Sequence, residues 1–219
     1  MGRTVLITGA AGGLGGAVVA AFGEHGWRVV APVRRAGAEV AGAETVVADL
    51  ADPAAAAAAF DVAAGDAQAP LRAVVTAAGG FAGGTVAGTP VEEFEAQFRL
   101  NLRTAYVTIQ AALPHLAAAG GGAIVCVGSR AGTHPFGGAA GYVASKAALH
   151  ALADVVAREH RDDGIRCNVV VPGTIDTPAN REAGMKGGVP PAAIARVIRF
   201  LCSEDAAATS GAIVPVYPP

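Results

Sequence analysis

Residues 4–8, Thr-Val-Leu-Ile-Thr, are a short apolar run that passes without a spacer into Gly9-Ala10-Ala11-Gly12-Gly13-Leu14-Gly15 and then into a helical pattern reaching about His25. No other stretch limits the possible folds as strongly. A strand followed by glycines and a helix is a turn in which the backbone itself is approached closely, because glycine alone leaves that space open. The first turn of such a helix carries unpaired N–H groups and the positive end of the helix dipole. The turn is therefore an anion site if a phosphate approaches it, and a plain glycine turn if none does.

The same punctuation recurs along the chain. Apolar runs predict further strands at residues 28–33, 45–48, 71–77, 123–127, 165–171 and 212–216, separated by helical patterns at 53–64, 90–116, 141–159 and 190–203. Asp52 is placed to cap the second helix with Pro53 at its first position, and Thr89, Pro90 and Glu92 have the order of a capping box for the third. Most of the strands are continuously apolar rather than alternating, which predicts parallel pairing with both faces covered. Alternation of strand and helix over 219 residues then predicts one α/β domain spanning 1–219, a doubly wound parallel sheet of about seven strands with helices on both faces. Ligands of such sheets lie beyond the carboxyl ends of the strands, where Gly9, Arg34, Asp49, Ala77, Ser129 and Pro172 fall.

Composition excludes several classes of partner. A net charge of −2 without a block of Lys or Arg gives no electrostatic footprint for nucleic acid or an anionic membrane. Residues 104–129 lack charge, but Pro114, His115 and Gly120-Gly121-Gly122 interrupt them, so a helix and a buried strand are expected there, not a membrane span. The start, from Met1 to Leu6, has no signal-peptide core, and Leu6 stands where a myristoylation signal needs Ser or Thr, so a cytoplasmic location is expected. Cys126, Cys167 and Cys202 are far apart in apolar runs without metal-ligand spacing and read as buried free thiols. At 53% hydrophobic and 16% charged, the chain has apolar surface to spare for subunit contacts, and a homodimer or homotetramer is expected.

One constellation carries chemistry. If Tyr142 opens a helix, Lys146 lies one turn along the same face, and a lysine cation near a phenol favours the phenolate, pulling it from about 10 toward the operating pH. Tyr142 could then exchange a proton with a substrate oxygen. Ser129, thirteen residues earlier, would stand at the end of the fifth strand. Asn101 is polar amid apolar neighbours and must find a partner; its spacing favours a structural hydrogen bond over a contact with a catalytic water. Arg34-Arg35 follows the second strand, where an acidic residue would accept from a ribose 2′-hydroxyl. Arginine there suits a 2′-phosphate, hence NADP over NAD, or is only a solvated basic turn. His134, beside Pro135-Phe136, is a candidate for the mouth of the site or a plain loop residue. Ser145 reads as helix packing and His150 as an interface or core histidine.

Taken together, these motifs resemble the short-chain dehydrogenase/reductase family over essentially the whole chain. Thr8-Gly9-x-x-x-Gly13-x-Gly15 is similar to that family's cofactor turn, with Leu14 inside it; Asp49-Leu50 to its adenine contact; and Asn101, Ser129, Tyr142 and Lys146 to its catalytic tetrad. Pro172-Gly173-Thr174-Ile175-Asp176-Thr177 is similar to its nicotinamide-side loop. The resemblance implies a Rossmann-type fold and an oxidoreductase that takes NADP(H), with NAD(H) possible, and a small carbonyl or alcohol substrate, the carbonyl a ketone or 3-oxoacyl group. It gives Tyr142 the role of general acid/base and Lys146 the lowering of its pKa and a hold on the nicotinamide ribose. Ser129 would orient the substrate carbonyl, and Asn101 would anchor a relay water. Ile175 and Thr177 would touch cofactor, as would the turn Ala77-Ala78-Gly79. That turn departs from the family pattern: Thr76-Ala77-Ala78-Gly79 lacks two usual asparagines, so a looser support of the sheet is expected. Residues 178–189 would be a short substrate lid. The C-terminal end, Val214 to Pro219, lacks the family's diglycine. The short lid and Asp176 to Arg181 resemble more weakly the dihydropteridine reductase branch, which makes reduction of a quinonoid pterin one alternative. A non-catalytic NADP(H)-sensing protein is the alternative of another class.

Overall fold

Seven strands form one parallel sheet: β1 (Arg3–Thr8), β2 (Trp27–Val33), β3 (Glu44–Val47), β4 (Leu71–Thr76), β5 (Gly122–Val127), β6 (Ile165–Pro172) and β7 (Ile213–Val216), in spatial order β3-β2-β1-β4-β5-β6-β7. The computed structural model describes residues 2–218; Met1 and Pro219, at the two ends read above, lie outside the described residues. The strand order turns back between β1 and β4, and in doubly wound sheets a crevice opens at that point. The expected fold class is therefore the observed one.

The α-helices among the described residues are α1 (Gly15–Gly23), α2 (Pro53–Ala64), α3 (Val91–Phe98), α4 (Thr104–Ala118), α5 (Ala140–Glu159), α6 (Pro178–Glu182) and α7 (Pro191–Leu201), of which α1 and α7 pack on one face of the sheet and α2, α4 and α5 on the other. Successive strand residues point to opposite sides, so each strand feeds two cores. Val5 and Ile7 of β1 join Val18 and Phe22 of α1 and Ile194, Ile198 and Leu201 of α7 on one face. Leu6, between them, packs on the other face with Phe60 of α2, Ile109 and Leu116 of α4, and Leu149 and Val156 of α5. This two-sided burial is why the strands carry no polar alternation.

Strand ends fall within a residue of the expected positions, and Asp52 caps α2 through Ala54 N–H at 2.9 Å with Pro53 first in the helix. Two local expectations fail. Thr89 does not cap α3: its hydroxyl donates to the Thr85 carbonyl at 2.7 Å, closing a turn, and Pro90 stands at the helix start without a side-chain cap. The helix begins at Val91, one residue later than the capping pattern places it, so Pro90 and not Thr89 occupies the cap position. Nor is the third helix continuous. A π-helical turn at Arg99–Arg103 separates α3 from α4, and Asn101 sits in it, buried. Such turns insert an extra residue into the helical ladder and are frequent at functional sites. The apolar period across 90–116 hides it, because one inserted residue shifts the period by less than the width of the buried stripe.

Candidate active site

The carboxyl edge of the sheet holds a cavity of about 480 Å³. Its walls include Gly9, Gly13, Leu14, Gly15, Ala77, Gly79, Ser129, Tyr142, Lys146, Pro172, Gly173, Ile175 and Thr177, brought from four strand ends and two helix starts. Thr8, Ala78 and Asn101 stand behind that wall. Thr8 is buried and accepts from Ala78 N–H at 3.0 Å. Arg34, Arg35, Asp49 and Leu50 lie outside the cavity, beyond the ends of β2 and β3. Both arginines are exposed, the Asp49 carboxylate accepts from Ala51 N–H at 3.0 Å, and Leu50 is buried against Ala56 and Val107.

The glycine turn is built for a ligand that meets backbone. Gly9 has φ of 67°, in the region that L side chains rarely adopt, and a Cβ there would come within 2.7 Å of Ala78 N. A Cβ on Gly13 would meet Thr177 Cγ2 at 2.6 Å. The start of α1 at Leu14 has no side-chain cap, so its first N–H groups are not claimed by a cap and stand beside the cavity. This cradle fits the phosphates of a dinucleotide, by close backbone approach and helix dipole together.

Ser129 stands two residues past the end of β5 in extended conformation, and its Oγ accepts from Ala131 N–H at 3.1 Å. A hydroxyl that receives in this way keeps its own proton for another acceptor. Tyr142 lies in the first turn of α5. Burial lifts its phenol above the ordinary value, and hydrogen bonding with Ser129 pulls in the opposite direction. Lys146 is buried and donates from Nζ to the Val127 carbonyl at 2.9 Å. Desolvation lowers its pKa to about 8, with the Cys126 thiol a smaller opposing influence. The expected depression of Tyr142 by Lys146 is therefore absent from this arrangement: the ammonium is held on the end of β5, and desolvation dominates both groups.

Asn101 is tied by its side chain. Its Oδ1 accepts from Gly80 N–H at 3.0 Å, while its Nδ2 donates to the Gly80 carbonyl at 3.0 Å and to Ser145 Oγ at 3.3 Å. Ser145 in turn donates to the Tyr142 carbonyl at 2.8 Å, so the π turn, the loop after β4 and the start of α5 are pinned to one another. The Thr8–Ala78 bond holds the turn that lacks the family's asparagines, and the Asn101 bonds hold Gly80 just after it. Ser145 does more than pack. His150 is a core residue, its ring wedged where a Cβ on Gly128 would come within 2.4 Å of Nε2 and one on Gly132 within 2.5 Å of Cε1.

His134 does line the cavity, with Phe136. Three other neighbours carry no motif. Phe81 meets the Tyr142 ring edge-on at 5.0 Å; Arg130 follows Ser129 in the cavity wall; and Tyr217 places its ring 5.4 Å under the Arg130 guanidinium. An arginine next to Ser129, directly after a wholly apolar strand, is the one signal that could have drawn attention to this group. The free cysteines are buried, and burial pushes the Cys202 thiol up to about 12. Among the described residues no helix is long and apolar enough to cross a membrane, and no group of His, Cys, Asp and Glu could hold a metal ion.

A glycine cradle at the turning point of a parallel sheet, beside a serine, tyrosine and lysine that face one cavity, defines a dinucleotide-fold oxidoreductase architecture. Comparison with known proteins agrees. The family model for short chain dehydrogenase matches residues 3–186. The chain is 34% identical over 226 residues to the 3-oxoacyl-[acyl-carrier-protein] reductase MabA of Mycobacterium tuberculosis, covering 98% of this chain and 91% of that protein. It is 35% identical over 239 residues to the protein FixR of Bradyrhizobium diazoefficiens, covering 98% and 85%. A solved oxidoreductase of the short-chain dehydrogenase/reductase family from Burkholderia thailandensis superposes with a TM-score of 0.87 at 34% identity, over 98% of this chain and 91% of that one. The chain belongs to the short-chain dehydrogenase/reductase family.

Proposed function

We propose that the protein is an NADPH-preferring reductase of a ketone or 3-oxoacyl carbonyl, working reversibly, with Tyr142 as the general acid/base. The observation that carries this reading is the arrangement of Ser129, Tyr142 and Lys146 on one cavity that also contains the uncapped glycine cradle. Gly9, Gly13, Leu14 and Gly15 would hold the cofactor phosphates, Thr8 and Ala77-Ala78-Gly79 would back them, and Asp49 and Leu50 would meet the adenine. Pro172, Gly173, Ile175 and Thr177 would flank the nicotinamide. Arg34 and Arg35 follow β2, the strand beside the cradle, and their exposed guanidinium groups supply the charge for a 2′-phosphate. When bound, the nicotinamide cofactor supplies or accepts the hydride at the carbonyl carbon.

The chain's own residues manage the oxygen. Hydride addition builds negative charge there, and two donors must be aimed at it. Ser129, whose lone pair is taken by Ala131 N–H, has its proton free to donate; Tyr142 donates the proton that completes the alcohol. Its raised pKa keeps the phenol protonated at neutral pH, which is the form a carbonyl reductase needs at the start. The Lys146 ammonium, which the Val127 carbonyl holds in the cavity wall, would be the cation that stabilises the phenolate left behind and steadies the ribose. Asn101 holds the loop that forms the opposite wall and is the proposed anchor of a relay water. Residues 178–189 remain the candidate lid, and an assembly of two or four copies remains the expectation for the chain.

The test is oxidation of NADPH and of NADH over a panel of ketones, 3-oxoacyl thioesters and quinonoid dihydropterin. Wild type should turn over carbonyls with NADPH, and Tyr142→Phe should lose about two to four orders of magnitude in kcat while still binding NADPH. Undiminished turnover in Tyr142→Phe sinks the assignment of the acid. NADPH binding with no turnover on any substrate moves the protein to the sensing class.

A further inference from the structure

Arg130 has no role in the chemistry just described, and its setting is unusual. It begins the one-turn 3-10 segment Arg130–Gly132 directly after Ser129, and its guanidinium lies over the ring of Tyr217 at 5.4 Å from the centroid. Tyr217 follows β7, and its ring stands beside Gly173, 3.7 Å from where a Cβ would be. The guanidinium is thus stationed by a stacking contact across the cavity edge between the ends of β5 and β7. Among the described residues it makes no ion pair. Asp176, the carboxylate of the neighbouring loop, is bound to Arg181 at 2.6 Å.

The rest of the cavity has a consistent chemistry. No Asp or Glu lines it; besides Arg130, its ionisable walls are Lys146, His134 and Tyr142. Phe81, Phe136 and Met185 contribute exposed apolar surface to the same walls, at 58%, 51% and 45% exposure. Exposed apolar side chains beside a guanidinium that no carboxylate of the cavity neutralises suit an amphiphilic molecule with an apolar stem and a compact anion. In the proposed reading the cofactor phosphates have partners of their own, the pyrophosphate on the glycine cradle after β1, two strands from β5, and a 2′-phosphate further off. Arg34 and Arg35 follow β2, three strands from β5 in the sheet, or about 14 Å at the usual strand spacing.

We infer that Arg130, stationed by Tyr217, is a specificity residue that selects carbonyl substrates bearing an anionic group, such as oxo acids, over their neutral counterparts. The inference rests on the reductase reading for its carbonyl but not for its anion. Arg130 is distinct from the proton-transfer group: it holds the far end of the substrate, so its removal acts on binding of the anion and leaves the Tyr142 proton transfer in place.

The experiment pairs oxo acids, with the carboxylate at increasing distance from the ketone, against their methyl esters in NADPH-oxidation assays of wild type, Arg130→Met and Arg130→Lys. Calorimetric titration of NADP-loaded and cofactor-free protein with the saturated carboxylates and their amides runs alongside. Wild type should favour the acid over the ester in kcat/KM at one chain length by about tenfold to a hundredfold, the range of a charge-assisted contact. Arg130→Met should erase that preference through KM for the acid, Arg130→Lys should restore part of it, and carboxylate binding should weaken in Arg130→Met while amide binding does not. Equal handling of acid and ester by wild type, or equal losses for both in Arg130→Met, overturns the inference. If no carbonyl is turned over at all, the reductase reading falls, and the carboxylate-against-amide titration still decides Arg130.

Discussion

Adjacent glycines in the N-terminal turn should respond to alanine with opposite signs. Gly15 is buried at the first position of α1, and a Cβ there would lie 2.2 Å from the Gly9 carbonyl oxygen and 2.5 Å from Ala10 Cα and O. All three are backbone atoms of the turn, which cannot move without carrying the cradle with them. Gly16, the next residue, is exposed, and nothing stands within 4 Å of its would-be Cβ. In Gly16→Ala only the intrinsic helix preference acts, stabilising by roughly 0.5–1 kcal/mol. In Gly15→Ala the same gain is opposed by overpacking worth about 1–3 kcal/mol or more, and contacts this short put the cost at the upper end. At about 2–4 °C per kcal/mol for a chain of this size, Gly15→Ala should melt roughly 4–10 °C below wild type, and Gly16→Ala a few degrees above it. Scanning calorimetry of the three proteins at one concentration decides the matter. A Gly15→Ala protein that melts at or above wild type would refute the steric argument, and with it the claim that the turn is rigid.

Asn101→Ala removes the partner of both the Gly80 N–H and the Gly80 carbonyl, and should cost about 2–4 kcal/mol by urea unfolding, more than an exposed asparagine would. A loss under half a kcal/mol would mean that the loop after β4 finds its support elsewhere. Lys146→Met should raise stability in a pH-dependent way. The folded pKa of about 8 lies below the free-lysine value, so burial of the cation penalises wild type fully below pH 8, and the penalty fades as pH rises toward 10.5. The melting advantage of Lys146→Met should therefore shrink between pH 8 and pH 10; an advantage that is flat or grows with pH would contradict the buried cation.

Much of this was legible in the sequence, and the reasons differ by feature. The fold was legible because both faces of the sheet are covered: continuous apolar strands such as residues 123–127, punctuated by glycine and helix, have few other ways to bury themselves. The pairing of Tyr142 with Lys146 was legible because four residues make one helical turn. By contrast, the π turn that holds Asn101 was not, since one inserted residue leaves the apolar pattern of 90–116 intact. Nor was the loss of the Thr89 cap, because a shift of one residue in where α3 begins puts Pro90 at the cap position. The seat of Lys146 on the Val127 carbonyl depends on how α5 lies against β5.

The chain's order of residues by itself determined the class of sheet, the edge on which the site lies and the residue types that meet there, since strand polarity and helical spacing are local properties. Only the tertiary structure decided which glycine is irreplaceable, which wall the lysine touches, and that Arg130 and Tyr217, far apart in the chain, meet beside the cavity. Those outcomes depend on distances between elements packed against one another, and no single segment carries that information.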